Sequence, residues 1–149
     1  MKRILLMIAA ITTMSLGAFA QCASFPCVVA TASVTNKTTG IDATTLYTPP
    51  AEGTFRVSVY MSTTGGGGNN PAGWVTFVRW VDRLSARNTH VAVFPNSTSS
   101  SVGTTGLIGG SIVVHDMAGQ PLEYRVGTSG FRYQLSHAYD LYIVVEQLQ

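Results

Sequence analysis

The chain has 149 residues, 46% of them hydrophobic and 11% charged, with nine Lys and Arg against seven Asp and Glu. That length holds one ordinary domain, and a net charge of +2 offers no basic surface for nucleic acid. Polarity comes from Ser, Thr, Asn and Gly instead, as in β-rich exported proteins and in subunits that bury surface against copies of themselves.

The first twenty residues read as a secretory signal peptide. Lys2 and Arg3 precede an apolar run, Ile4 to Ile11, and the segment closes on Ala18-Phe19-Ala20, the small-x-small order that signal peptidase admits. The expected cut follows Ala20, which leaves residues 21–149 as a single domain. A transmembrane anchor fits less well, because the run is short for a bilayer and a cleavage site follows it. Gln21 is also a poor residue to precede a lipidated cysteine at Cys22. Loss of Lys2 and Arg3 leaves seven basic residues against seven acidic ones, so the mature chain is formally neutral. The expected location is secreted or periplasmic, with no membrane span after cleavage. In that oxidising setting Cys22 and Cys27, in Cys-Ala-Ser-Phe-Pro-Cys, are expected to form a small-loop disulfide. Two cysteines without neighbouring histidines cannot complete a metal shell.

No later segment keeps a helical period, whereas alternation with a period of two recurs. The expected strands, in chain order, are 28–35, an edge strand 43–47, 54–63, 74–81, 90–94, 111–115, 122–126, 131–135 and 139–148. In the third, Phe55, Val57, Val59 and Met61 share one face, and Arg56, Ser58, Tyr60 and Ser62 share the other. In the last, Leu141, Ile143 and Val145 oppose Asp140, Tyr142 and Glu146. The 74–81 segment is apolar on both faces apart from Arg79 and reads as central. Pro49-Pro50 cannot continue a ladder, and the 90–94 strand stops at Pro95. About eight short strands separated by turns predict an all-β antiparallel sandwich. Asp116 to Pro121 reads as a hairpin turn, and Gly127-Thr128-Ser129-Gly130 as a turn.

The chemistry-bearing patterns are sparse. Gly65 to Gly68 lacks the Lys and Ser or Thr of a phosphate loop and leads to Asn69-Asn70-Pro71, so it is a connection. His90, His115 and His137 have Asp116 and Asp140 nearby in sequence, but there is no Gly-x-Ser-x-Gly elbow, and adjacent strand residues point to opposite faces. The carboxylates sit mostly at strand ends, where solvated charge explains them. No catalytic residue, cofactor or metal ligand is expected. Arg79, Asp82, Arg83 and Arg87 form the densest charge group, suited to an acidic glycan or partner carboxylate, or simply to local Asp–Arg pairs at a hairpin tip. Trp74 and Trp80 share a strand face and fit a core better than a sugar-stacking surface.

Gly53-Thr54-Phe55-Arg56-Val57-Ser58-Val59-Tyr60 resembles the Gly-x-Tyr/Phe-x-Val strand of jelly-roll domains of the C1q/tumour-necrosis-factor type. Similar strands occur in phage-fibre-like bacterial β-sandwich proteins. The run Tyr139 to Glu146 resembles their closing strand, and Gly109 to Val114 with Gly119 to Leu122 stands where such domains carry a strand pair. The resemblance implies a jelly roll, non-catalytic binding and trimers, and it transfers no functional residue. The expected function is surface binding or self-assembly, with a cell-surface protein, a glycan or a second copy as partner. A small carbohydrate-binding module is the alternative. The candidate surface comprises Trp74, Phe77, Arg79, Trp80, Asp82, Arg83 and Arg87. An oligomer is expected to cover the outer face carrying Val75, Phe77 and Val81.

Overall fold

The computed structural model describes residues 24–64, 73–85, 90–95, 106–129 and 138–149. The leader, Cys22, the Gly65–Gly68 loop, Arg87, the Asn96–Ser101 loop and the 131–135 strand expectation lie outside the described residues.

Eight strands are present among the described residues: β1 (Cys27–Lys37), β2 (Ile41–Tyr47), β3 (Gly53–Thr64), β4 (Gly73–Trp80), β5 (His90–Pro95), β6 (Gly106–Asp116), β7 (Leu122–Ser129) and β8 (Ala138–Gln147). They form two antiparallel four-stranded sheets, ordered β1-β8-β3-β6 and β2-β7-β4-β5. The chain changes sheet at nearly every connection, and this strand order is that of a jelly roll.

Alternation builds the core. Phe55, Val57, Val59 and Met61 of β3 and Leu141, Ile143 and Val145 of β8 are all buried and face the second sheet. Trp74 and Val78 of β4, with Leu122, Tyr124 and Val126 of β7, meet them from that sheet. Trp74 and Tyr139 join the two layers with ring centroids 4.7 Å apart. The Tyr139 hydroxyl donates to the Thr39 carbonyl at 2.9 Å, which ties the β1–β2 connection to the core. Burial, with Tyr124 as a lesser cause, pushes the Tyr139 phenol up to about 12.

Three sequence expectations change. β6 starts at Gly106 rather than Ser111, because Gly106, Gly109 and Gly110 all pair with β3. Pairing to a long neighbour overrides the low strand preference of glycine. Gly127 to Ser129 is not a turn but the end of β7, opposite Gly73 to Val75. Asp116 to Pro121 is not a hairpin. Its turn, closed by Gln120 N–H to the Met117 carbonyl at 3.2 Å, carries the chain from the first sheet into the second. Gly119 takes a φ of 71° there, a conformation that favours glycine. β2 is an edge strand as expected, and β5, on the opposite edge, runs one residue past its expected end at Phe94, with Pro95 opposite Val75.

Candidate assembly surface

The two sheets present two outer faces, and each carries aromatic residues. On the second sheet the odd positions of β4 point outward. Phe77 stands directly opposite Arg125 of β7, whose guanidinium lies 4.6 Å from the ring centroid. A Cβ at Gly127 would sit 3.4 Å from the same ring, so Phe77 also lies against bare backbone. Arg79 faces Glu123 across the ladder, with nitrogen and oxygen 3.6 Å apart. Val75 is buried. Arg125 of the neighbouring strand therefore lies over Phe77 on the outer face that an oligomer is expected to cover. A long side chain can reach sideways to its cross-strand neighbour in this way.

The other candidate residues separate. Trp74 is 3% exposed and belongs to the core, so it is removed from the candidate surface. Trp80 shares its inward row and packs half-buried against the same cluster. Neither is displayed for sugar stacking. Asp82 Oδ1 accepts the Leu84 and Ser85 amides at 2.9 and 3.1 Å and shapes the turn after β4. Arg83 pairs with Glu52 at 2.9 Å. Arg79 and Arg83 thus each have a carboxylate partner within the chain and do not converge on one site.

The outer face of the first sheet is different. Tyr60 on β3 is directly opposite Tyr142 on β8, and on its other side it is opposite Gly109 of β6. The tyrosines are 47% and 48% exposed, and Val113, also on this face, is 58% exposed. A Cβ at Gly109 would meet nothing within 4 Å. The result is an open groove of roughly 370 Å³, with Tyr60 and Tyr142 beside a low floor of Gly109 and Gly110, and with the hydroxyls of Ser58 and Ser111 along it. Two residues along the strands, Val144 and Ser58 continue the face, and beyond them Arg56 is opposite Glu146. That pair is joined at 2.7 Å. The hydrogen bond from Arg56 holds the Glu146 carboxyl below its usual range, and the same bond raises the Arg56 guanidinium. The face is thus aromatic at one level, small and hydroxylated at the next, and internally neutralised at the third.

Sequence reasoning missed this surface. Each tyrosine sits on a strand face shared with charged or hydroxyl residues, so each face alone reads as solvated. A signal existed nonetheless. Arg56 precedes Tyr60 by four residues, and Tyr142 precedes Glu146 by four. Antiparallel pairing of two such segments places tyrosine against tyrosine and arginine against glutamate.

Cys27 opens β1 and is not a free thiol. Among the described residues no group of three or more His, Cys, Asp or Glu is placed to hold a metal ion, and no helix is long and apolar enough to cross a membrane.

No protein-family model matches the chain, and no curated protein matches its sequence. Among solved structures it is similar to the Eiger TNF from S. frugiperda. The identity is 10%, over 80% of this chain and 92% of that one, with a TM-score of 0.45.

Proposed function

We propose that this jelly roll is an exported, non-enzymatic domain that assembles with copies of itself through the outer face of its first sheet. The observation that carries the reading is the exposed Tyr60–Tyr142 pair beside the open space over Gly109. The other sheet covers its own aromatic residue, and this one does not. Exposed aromatic and aliphatic side chains grouped on one face mark an interaction surface. A second copy is the occupant that suits it. The ionic level of the face is already neutralised within each chain, and a formally neutral mature protein repels its own copies little. Closed symmetry lets every copy use the same patch, and the C1q/tumour-necrosis-factor resemblance favours three copies.

Light scattering or sedimentation at micromolar concentration is the test. Wild type is expected as a discrete oligomer, and Gly109→Arg as a folded monomer. The arginine enters open space within the chain but fills the groove. A monomeric wild type overturns the reading. If that monomer also binds on a glycan array, the carbohydrate-binding alternative takes its place.

Export rests on the leader, and with it a Cys22–Cys27 bond. Intact mass of the exported protein should begin at Gln21, and non-reducing peptide mapping should yield one linked N-terminal peptide. Retention of residues 1–20, or a disulfide-linked dimer, defeats the respective claim.

A further inference from the structure

One end of the sandwich is closed by a clasp between the exit of β4, in the second sheet, and the end of β6, in the first. Asp82 bridges to Asp116, and the Arg83 amide donates to the His115 carbonyl at 3.0 Å. The Asp116 carboxylate accepts the Val81 amide and, through Oδ1 at 2.9 Å, the Met117 amide. The outer side of the clasp is held by the Arg83–Glu52 pair. Asp116 is completely buried, and its Oδ2 has no hydrogen-bond partner. Buried polar atoms are almost always paired, and an ionised carboxylate with an unserved oxygen is the costliest kind of exception.

The charged and titratable groups at this joint are few among the described residues. Asp82 contributes a second carboxylate from the β4 side. Arg83 is engaged with Glu52. His115 lies on the opposite side of β6, is exposed, and bonds through Nδ1 to the Thr54 hydroxyl at 3.0 Å. None of these contacts brings a cation to Oδ2.

We propose that Asp116 makes this clasp an acid-set latch: with the carboxyl protonated, residues 81–85 are held against the first sheet, and loss of that proton to water releases them. The physical cause is a competition. The two amide donors favour the carboxylate, but burial opposes it more strongly and raises the Asp116 carboxyl from 3.8 to about 6 in the closed clasp. Opening lets water reach Oδ2 and returns the group to its ordinary range. A group whose pKa is raised in the closed form stabilises that form fully below its open-state value. The advantage is lost as pH rises through the closed-state value, so closure is strongest near pH 4 and reaches its floor above about pH 6. A shift of that size weakens closure about a hundredfold between those limits.

Hydrogen exchange of the Arg83 amide in the full-length protein reads this directly, because that amide makes the cross-sheet bond. After correction for the intrinsic exchange rate, protection in wild type should fall about a hundredfold from about pH 4 to about pH 8. Asp116→Asn, which cannot ionise, should flatten the profile, and Asp82→Asn should leave it in place. A flat wild-type profile, an unchanged slope in Asp116→Asn, or a slope abolished only by Asp82→Asn overturns the proposal. If Asp116→Asn does not fold, the carboxyl carbon shift of Asp116 in wild type decides. A midpoint near 6 supports the latch, and one in the ordinary carboxylate range overturns it.

Discussion

The two outer faces of this sandwich contain similar residues and reach opposite outcomes. On the second sheet Phe77 is enclosed by its own ladder, with Arg125 above it and Gly127 against it. On the first sheet Tyr60 and Tyr142 stand opposite each other, half exposed, with a glycine where a covering side chain would be. Hydrophobicity along a strand therefore does not identify a contact surface. What decides is the residue directly opposite. A long cation folds over its aromatic partner, whereas a glycine leaves the partner open.

Substitutions on the two faces separate these roles. The largest effect is expected inside β4. Trp74→Ala should lower unfolding free energy by about 3–5 kcal/mol in urea titration, since it empties a buried site against Tyr139. Next comes the open face. Tyr142→Ala should weaken association by about 2 kcal/mol, or about thirtyfold, by sedimentation, with little change in unfolding of the separated protomer. Phe77→Ala should leave association unchanged; loss of assembly there would reverse the assignment of the two faces. Arg125→Ala should be milder, costing about 0.5–1 kcal/mol of stability. It should also uncover Phe77, so a new tendency to self-associate is the informative readout. Glu146→Gln should have the smallest effect, because its ion pair is partly exposed. The Glu146 carboxyl is held below its usual range, so its contribution is present at neutral pH. It fades as pH falls through the lowered value, and thermal melts of the variant and wild type should then converge.

Much of the architecture is legible in the chain itself. β3 and β8 declare their buried faces by strict alternation, and the two-sided apolarity of β4 correctly marks a strand flanked on both sides. What local pattern conceals is pairing across long separations. The glycines of β6 and the Gly127–Ser129 end of β7 look like turns until β3 and β4 are placed beside them. The charge cluster separates for the same reason. Arg79, Asp82, Arg83 and Arg87 cluster in sequence, yet Arg79 goes to Glu123 and Arg83 to Glu52. Tyr60 and Tyr142, far apart in the chain, become neighbours only through the β3–β8 register.

β8 lies between β1 and β3, so the first sheet cannot close until nearly the whole chain is available. Its anchors span great lengths. The Asn36 amide donates to Asp140 across 104 positions, and the Tyr139 hydroxyl reaches Thr39 across 100. Such non-local closure makes for slow folding, in the range of milliseconds to seconds, as for other all-β sandwiches. It also imposes a sequence of events. Tyr60 and Gly109 lie on strands that precede β8, but Tyr142 arrives with the last strand. A partly synthesised chain therefore lacks half of the aromatic pair, and the proposed assembly surface is complete only once the last strand has docked.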